Sequence, residues 1–284
     1  MRLATIMIDD RATEAIVLGD GALPLEPIAN GLDLVRGMAA SGEAASGPAL
    51  EWARAQAQRD RALLPFDSLV YLPAVPHPGA IYTVGLNYRE PGEDAGSRPP
   101  RPLIYGKAAS SVAAHGAELS WDRSLTDNVD AECELGVVMG AIATAVAPED
   151  ALSLVFGYTC INDISSRDPW LDGDQWLLGK SMPGFCPVGP WIVTRDDLDP
   201  TSLRLGCTIN GARIQDGTTA DMRFGVAEII AFLSRHVTLL PGDLIATGTP
   251  ARLMDPPGPE RRLRPGDVVT VWIEGIGELT NTIA

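Results

Sequence analysis

The sequence predicts a mixed α+β protein that is rich in β-strands, with a small N-terminal β domain ahead of a larger β-rich domain. Short apolar stretches at residues 3–8 and 15–18 alternate with polar residues, as in the two strands of a hairpin. From residue 81 onward, short apolar runs are interrupted by Gly and Pro at close intervals, which is typical of strands joined by tight turns. One apolar stripe at helical spacing adds a helix to this pattern.

The small N-terminal domain is expected to span residues 1–72. A stretch rich in Ala, Gly and Ser at residues 37–48 precedes residues 51–61, which have the pattern of a polar-faced helix. Residues 72–78 contain three prolines, and proline fits neither a helix interior nor a central strand. The boundary is therefore placed there, and the second domain is expected to span residues 73–284.

Three turns can be assigned in the second domain. Asn210 and Gly211 suit the positive φ angles of a type I′ turn, so residues 207–215 are predicted to form a hairpin. The sequence Pro-Gly-Asp occurs at residues 241–243 and again at 265–267, each time before an apolar run. Both turns are therefore expected to introduce strands.

Two helices are predicted in the same domain. Pro148 and the two acidic residues after it favour a helix that begins at Ala151, because acidic side chains suit the positive end of a helix. The second helix carries the apolar stripe, which predicts a buried face without chemistry. The stripe consists of Met222, Val226, Ile229, Ile230 and Leu233.

The composition excludes several classes of function. The formal net charge is -15, whereas nucleic-acid binding needs a concentrated surface of Lys and Arg. Asp9 and Asp10 interrupt the apolar region that an export signal would need, and the weakly polar run at residues 136–147 is far shorter than the roughly 20 residues of a membrane-spanning helix. The absence of an early G-x-G-x-x-G argues against a dinucleotide enzyme. We expect a cytoplasmic protein that binds neither nucleic acid nor membrane.

Acidic residues alternate with apolar ones in residues 128–140. A strand with a period of two places Asp130, Glu132 and Glu134 on one face. Like charges this close repel by about 1 kcal/mol or more per pair at about 4 to 6 Å, so a half-buried strand of this kind is unfavourable without a cation. A divalent cation removes the repulsion. The alternative is an edge strand whose acidic face is solvated.

A further carboxylate lies in a similarly apolar setting, because Asp163 ends the uncharged, β-prone run at residues 157–163. An ionised Asp there needs a partner. Together with Glu132 and Glu134 it would offer three carboxylate oxygens, which suits Mg²⁺ or Mn²⁺. The lack of a nearby pattern rich in His or Cys disfavours zinc. Lys180 likewise lies in a stretch otherwise free of charge and needs a nearby anion, the alternative being a solvated loop lysine.

Several motifs follow one another along the chain in a recognisable order. They are TVGLNY at residues 83–88, ExE at 132–134, GYTCIND at 157–163 with SRD at 166–168, QWLLGKS at 175–181, PGDLIATGTP at 241–250 and IEGIGEL at 273–279. Together they resemble the fumarylacetoacetate hydrolase superfamily. The resemblance runs from about Pro76 to the C-terminus, and the leading domain is similar to the short N-terminal β domain of bacterial members.

The resemblance implies a β-roll catalytic domain that is usually paired in a homodimer. It implies Mg²⁺ or Mn²⁺ at the positions matching Glu132, Glu134 and Asp163, and it assigns Lys180 to catalysis, holding or polarising the substrate. The positions expected to bind the substrate, a small oxo-acid, are Arg167, Thr249, Tyr88, Gly248 and Gln175.

The sequence departs from this family in a short lid. Hydrolases of the family carry a His three residues after the Asn-Tyr pair and a Glu three residues further on, and these positions are Pro91 and Asp94 here. Proline has no acid–base chemistry, so the expected base is missing. Glu90, Glu93 and Asp94 are the nearby replacements, and we assign Glu93 and Asp94 as the catalytic candidates, although a carboxylate with a pKa near 4 is a weaker base at pH 7 than a histidine.

Other departures surround the expected substrate. Pro183 stands near a position that is usually acidic, and Trp170 is bulkier than the polar residue expected near Arg167. Both changes favour a bulkier, less polar substrate or a reaction other than hydrolysis. The histidines are expected to be structural or at the surface; they are His77, His115 and His236.

The leading expectation is a divalent-metal-dependent enzyme that cleaves a C–C bond of a 2-oxo or 1,3-dicarbonyl acid through a metal-bound enolate, as an acylpyruvate-type hydrolase or a decarboxylase. One alternative is a tautomerase, dehydratase or isomerase on the same scaffold. The other is a catalytically impaired homologue that still binds metal and ligand. Pro91 and Pro183 favour this last reading, whereas the retained acidic residues and Lys180 argue against it.

Overall fold

The described parts of the chain form three β-sheets with a few short helices around them. The structure is a computed structural model and describes residues 1–19, 21–25, 63–90, 92–94, 98–253 and 262–284. The strands are β1 (Arg2–Ile8), β2 (Arg11–Leu18), β3 (Gly21–Pro24), β4 (Leu64–Pro65), β5 (Val70–Tyr71), β6 (Ile81–Gly85), β7 (Leu103–Lys107), β8 (Val112–Ala113), β9 (Glu118–Leu119), β10 (Val129–Asp130), β11 (Cys133–Met139), β12 (Val155–Asn162), β13 (Ser165–Ser166), β14 (Cys186–Thr194), β15 (Arg204–Ile209), β16 (Ala212–Thr218), β17 (Leu244–Ala246), β18 (Val268–Ile273) and β19 (Gly277–Ile283). The helices are α1 (Pro148–Ala151), α2 (Pro169–Gly173), α3 (Trp176–Gly179) and α4 (Val226–Ser234).

The largest sheet has twelve strands, with the main order β4-β3-β2-β1-β14-β12-β11-β17-β6-β7. The predicted N-terminal hairpin is confirmed as β1 and β2. These strands continue the same sheet, because β1 pairs antiparallel with β14 through Arg2 opposite Val193. The domain boundary near residue 72 stays a prediction. The predicted helix at residues 51–61 lies outside the described residues.

The main core lies where the five-stranded sheet, ordered β16-β15-β18-β19-β9, packs on the large sheet. Leu135 of β11 belongs to the same buried cluster as Val271 and Leu279 of the smaller sheet. On the other face of β11, Val138 belongs to a cluster with Ile161. Every residue of β11 and β12 is buried, so any charged side chain on these two strands needs a specific partner.

The turn predictions are confirmed. Asn210 and Gly211 have φ angles of 51° and 78° and join β15 to β16, as a type I′ turn requires. Strand β17 follows the turn at residues 241–243, and β18 follows the turn at 265–267. The side chain of Asp243 fixes the first of these turns by accepting hydrogen bonds from the backbone N–H groups of Ala80 (2.9 Å) and Leu240 (2.8 Å).

The helix predictions need two corrections at boundaries. The first helix was expected to begin at Ala151, but α1 begins at Pro148 and ends at Ala151, because the fixed φ and the missing N–H of proline suit the first turn of a helix. The apolar stripe was expected to begin at Met222, but α4 begins at Val226, because Gly225 is its N-cap residue and the Glu228 side chain accepts a hydrogen bond from the Gly225 N–H (3.1 Å). Met222 is buried outside the helix and forms a β-bridge with Tyr88. In the part of the chain that the structure describes, no helix combines the length and apolar character needed to cross a membrane.

Candidate metal and substrate site

Three acidic residues meet at the paired ends of β11 and β12. Glu132 immediately precedes β11, Glu134 lies in it, and Asp163 immediately follows β12. The pairing brings the two strand ends together, since the Asp163 N–H donates to the Glu132 carbonyl at 2.9 Å. One carboxylate oxygen from each of the three residues lies within 4.8 Å of the others, and the exposed fractions are 9% for Glu132, 1% for Glu134 and 0% for Asp163. The geometry and the oxygen donors fit a hard divalent cation.

Asp163 is bound by two lysines. The ammonium of Lys107 donates to its Oδ1 at 2.5 Å, and that of Lys180 donates to its Oδ2 at 2.6 Å. Burial alone would raise the pKa of Asp163, but the two lysines outweigh burial and hold the pKa below its usual value. These are the two lysines of the chain, whose other basic side chains are arginines apart from three histidines.

Glu132 is also held by cations. It accepts hydrogen bonds from Lys180 (3.2 Å) and from the guanidinium of Arg167, which also forms an ion pair with Asp130. Burial would raise the pKa of Glu132, yet these two cations hold it below its usual value. For Lys180, burial would lower the pKa, but Asp163 and Glu132 hold it well above its usual range. Lys180 is therefore a permanent cation beside the acidic cluster.

Glu134 is the member of the cluster with the least compensation. Burial and then the neighbouring charges of Asp163 and Glu132 raise its pKa well above the usual value. Its Oε2 accepts a hydrogen bond from the Gly248 N–H at 2.7 Å. Gly248 has a φ of +95°, and a Cβ there would lie 2.8 Å from the Val84 carbonyl oxygen, so this approach requires glycine. A bound cation would replace the proton that Glu134 otherwise favours.

A cavity of about 670 Å³ opens beside the acidic cluster. Its described lining is Val84, Gly85, Leu86, Tyr88, Glu90, Leu103, Tyr105, Glu132, Glu134, Arg167, Trp176, Lys180, Gln215, Arg223, Thr249, Pro250, Ala251 and Arg252. The rings of Tyr105 and Trp176 meet edge-on with centroids 4.9 Å apart, and Lys180 Nζ lies 5.0 Å from the centroid of the Tyr105 ring. Burial first, and then the charge of Asp163, raises the pKa of Tyr105, so its phenol stays protonated. The cavity thus has a wall of aromatic rings beside a cluster of fixed charges.

The predicted substrate-binding residues fall into two groups. Arg167, Thr249 and Tyr88 line the cavity. Gly248 does not line it, and its N–H is engaged by Glu134. Gln175 is exposed, lies at the start of α3 and is not among the described lining residues. Its role in substrate binding stays a prediction.

Gln215 lines the cavity, although the sequence did not predict it as a site residue. Its side chain accepts a hydrogen bond from the Cys133 N–H (2.9 Å) and donates to Thr249 Oγ1 (2.7 Å) and to the Pro250 carbonyl (2.8 Å). The Thr249 hydroxyl in turn donates to the Cys133 carbonyl at 2.8 Å. Gln215 therefore ties β11 to the loop after β17. No local pattern marks it, because its partners are distant in sequence.

Lys107 was also missed, although a signal existed. It is the one residue among Asp, Glu, Lys and Arg in residues 102–117, the same isolation that drew attention to Lys180. The structure buries its side chain completely and adds a hydrogen bond to the Ile164 carbonyl at 3.1 Å. A lone lysine at the end of a β-prone run is therefore the pattern that could have identified Lys107.

The lid candidates differ in their surroundings. Glu90 lines the cavity. Glu93 is bound by the guanidinium of Arg223 through both carboxylate oxygens, and Asp94 is exposed; neither is among the described lining residues. Pro91 lies outside the described residues. Trp170 is 63% exposed on α2, and none of the three histidines is among the described residues that line the cavity.

Comparison with known proteins decides the family. The sequence profile of the fumarylacetoacetate (FAA) hydrolase C-terminal family matches residues 80–284. The chain belongs to the fumarylacetoacetate hydrolase family. An uncharacterized protein of Staphylococcus aureus strain USA300 is 39% identical over 220 residues, which are 77% of this chain and 73% of that protein. The predicted family is thereby confirmed.

Solved structures of this superfamily have the same β-rich fold. A fumarylacetoacetate hydrolase from Exiguobacterium antarcticum is 30% identical, with a TM-score of 0.82 over 100% of this chain and 99% of that one. A 2-hydroxyhepta-2,4-diene-1,7-dioate isomerase from Mycobacterium marinum is 29% identical (TM-score 0.77, 100% and 98%). A maleylpyruvate hydrolase from Sphingobium sp. SYK-6, solved with manganese(II) and pyruvate, is 27% identical (TM-score 0.78, 100% and 99%). These neighbours support an enzyme of this superfamily and include both hydrolases and an isomerase.

The raised pKa of Glu134 leads to a prediction about metal affinity. We expect Glu134→Gln to weaken Mn²⁺ binding about tenfold or more, because the change removes one carboxylate charge but keeps an acceptor for Gly248. The affinity of the wild type should rise as the pH rises through the pKa of Glu134, since the ligand must lose its proton, and the variant should show a smaller rise. Calorimetric titration at several pH values measures both effects.

The matched control is Glu118→Gln, which changes an exposed carboxylate on β9. It should bind Mn²⁺ like the wild type. An unchanged affinity in Glu134→Gln, with the same pH dependence as the wild type, would contradict the metal site.

Proposed function

We propose that the protein is a divalent-metal-dependent enzyme that cleaves a C–C bond in a 2-oxo or 1,3-dicarbonyl acid, by hydrolysis or by decarboxylation. The observation that carries this proposal is the buried cluster of Glu132, Glu134 and Asp163 beside a cavity of about 670 Å³. Within this cluster Glu134 has the least compensation, so a cation bound there would be stabilised, and the cavity gives a small acid access to Glu132 and Glu134.

Mg²⁺ or Mn²⁺ held by the three carboxylates would act as a Lewis acid toward the oxygens of a chelating oxo-acid. The Sphingobium neighbour was solved with manganese(II) and pyruvate, which is a 2-oxo acid. That combination supports the proposal that a ligand of the same class would enter the cavity of this chain.

Lys180 has the properties of an electrostatic catalyst. It lines the cavity, it is buried, and its pKa is held well above the usual value despite that burial. A fixed positive charge of this kind stabilises the negative oxygen that develops when a carbonyl becomes an enolate. The charge needs no reorganisation during the reaction, because Asp163 and Ser165 already hold the ammonium, each at 2.6 Å.

Arg167 and Thr249 would position the substrate. Arg167 lies between Asp130 and Glu132 and lines the cavity, where its guanidinium can bind a substrate carboxylate. Thr249 is oriented by Gln215 and lines the cavity as well. Tyr105 and Trp176 exclude water from part of the cavity, which strengthens these interactions.

A second candidate function is a non-hydrolytic reaction on the same scaffold, such as isomerisation, tautomerisation or dehydration. The replacement of the lid histidine by Pro91 favours it, because those reactions need no activated water. The similarity to the Mycobacterium marinum isomerase is in keeping with it. The third candidate is a catalytically impaired homologue that only binds metal and ligand. The intact acidic cluster around Lys180 argues against this candidate.

The two lysines give a matched test of the proposed function. The wild type with Mn²⁺ is expected to cleave acetylpyruvate or to decarboxylate oxaloacetate, and EDTA should stop the reaction. Lys180→Met should lower kcat by about 10²- to 10³-fold, because it removes a cation that faces the reacting oxygen. Pyruvate release, followed with a coupled dehydrogenase, measures both reactions.

Lys107→Met is the control, since Lys107 binds the same Asp163 but is not among the described cavity-lining residues. Its main effect should be a loss of about 3 kcal/mol or more in the free energy of unfolding, because it strips a buried carboxylate of one partner. Equal losses of kcat in both metal-saturated variants would contradict the role given to Lys180.

We also propose that the protein is a homodimer, on the strength of the family resemblance. Light scattering should then give twice the 30.1 kDa of one chain at working concentrations. A mass of one chain across the concentration range would reject the dimer.

A further inference from the structure

We infer that Glu90 is the general base that replaces the missing lid histidine in C–C bond hydrolysis, and that Arg223 and Glu93 hold it in place. This inference rests on the proposed function. It starts from the cavity, whose described lining includes three carboxylates, Glu90, Glu132 and Glu134. Two of them belong to the acidic cluster. Glu90 is the remaining carboxylate of the described lining, and it is not one of the proposed metal ligands.

The other titratable groups on the cavity wall are unsuitable as bases. The Lys180 ammonium is engaged as a donor by Asp163 and by Ser165, each at 2.6 Å. Burial raises the pKa of Tyr88 and of Tyr105, so both phenols keep their protons. Arginines remain charged at any relevant pH. Among the described residues that line the cavity, Glu90 is therefore the candidate base that could take a proton from water.

Glu93 and Asp94, the candidates from the sequence, are less well placed. Glu93 accepts from Arg223 Nη1 at 2.5 Å and from Arg223 Nη2 through its second oxygen, so the ion pair engages both oxygens. A carboxylate bound in this way is a poorer proton acceptor than a solvated one. Asp94 is exposed and does not belong to the described lining of the cavity.

The same contacts give Glu93 a different task, which is to fix the backbone of Glu90. The Glu90 N–H donates to Glu93 Oε2 at 3.0 Å, and the Glu93 N–H donates to the Glu90 carbonyl at 3.0 Å. Gly92 between them has a φ of +84°, which suits a tight turn. These two hydrogen bonds tie Glu93 to the backbone of Glu90.

Arg223 anchors this turn to the body of the protein. Its N–H donates to the Asn87 carbonyl (2.6 Å) and its Nε donates to the Tyr88 carbonyl (3.1 Å). The buried Asn87 side chain in turn bonds to both backbone groups of Phe224 and to the Thr247 carbonyl. Glu90 is therefore attached to the segment before α4 and to the loop after β17, and so to the same framework as the acidic cluster.

The chemistry follows from this placement. The Glu90 carboxylate takes a proton from a water molecule, and the water oxygen forms a bond to the acyl carbonyl carbon of an acylpyruvate. The C–C bond then breaks, its electron pair passes to the oxo-acid as an enolate, and the carboxylic acid is released. A solvent water protonates the enolate carbon, and the hydroxide that this leaves takes the proton from Glu90, so one acylpyruvate and one water give one carboxylic acid and one pyruvate. Lys180 faces the negative oxygen during both steps.

The test compares two reactions in the same samples. Hydrolysis of acetylpyruvate needs an activated water, whereas decarboxylation of oxaloacetate does not. We expect Glu90→Gln to lower kcat for hydrolysis by about 10²- to 10⁴-fold, as for the loss of a general base, while decarboxylation and calorimetric Mn²⁺ affinity stay close to wild type. Glu90→Asp should recover part of the hydrolysis.

Glu93→Gln tests the positioning role through a different readout. It should lower kcat for hydrolysis less than Glu90→Gln does, and it should increase backbone amide exchange in the peptide that contains residues 87–93. Glu118→Gln, which changes an exposed side chain on β9, should match the wild type in every measurement.

The proposed function and this inference are overturned by different experimental results. A wild-type protein that performs neither reaction with Mn²⁺ would overturn the proposed function and this inference together. Wild-type hydrolysis that survives Glu90→Gln, or a variant that loses both reactions equally, would overturn the inference alone. A wild type that decarboxylates oxaloacetate but does not hydrolyse acetylpyruvate would also overturn it.

Discussion

The repulsion among three buried carboxylates is the constraint on which the site depends. At separations of up to 4.8 Å, two unit charges repel by about 3 kcal/mol or more at an effective dielectric constant of about 20. The protein meets this repulsion with Lys107 and Lys180 on Asp163 and with Arg167 on Glu132. Glu134 remains undercompensated, and burial, followed by the charges of Asp163 and Glu132, raises its pKa well above the usual value. A divalent cation would complete the balance.

The chain has two lysines, and both bind the same buried aspartate. An ammonium is a compact point charge with three donors on a flexible stem, whereas a guanidinium is a broad planar fork. Two ammonium groups can approach the two oxygens of one carboxylate inside a packed sheet, and Lys180 still reaches Glu132 and Ser165. Arginine side chains instead bind carboxylates that are less enclosed, namely Glu93 and Asp130 near the cavity.

The fold delivers these charges through long-range pairing. Strands β11 and β12 are neighbours in the large sheet, so their adjacent ends bring Glu132 and Asp163 together. Lys107 ends β7 at the far side of the main strand order, and the loop after β17 brings Gly248 to Glu134. The cavity then forms where this loop, Glu90 and the helix α3 surround the acidic cluster.

Local features were predictable from the sequence because their causes are local. The Asn210-Gly211 turn and the proximity of Glu132 to Glu134 needed no knowledge of tertiary structure. The single strand expected at residues 128–140 was wrong, because β10 and β11 belong to different sheets and Asp130 pairs with Arg252 outside the acidic cluster. Residues that act across the fold were not predictable in this way: Gln215 lies 82 positions from Cys133, and Arg223 lies 130 positions from Glu93. For the same reason the pairing of β1 with β14 was not foreseen.

The most direct test of the metal site is a crystal structure of the protein soaked with Mn²⁺ and oxalate, which mimics an enolised 2-oxo acid. We expect one strong anomalous peak among the carboxylates of Glu132, Glu134 and Asp163. We also expect an oxalate that completes the coordination of the ion and faces Lys180. An empty cluster at saturating Mn²⁺, or an ion bound elsewhere with oxalate outside the cavity, would contradict the metal site.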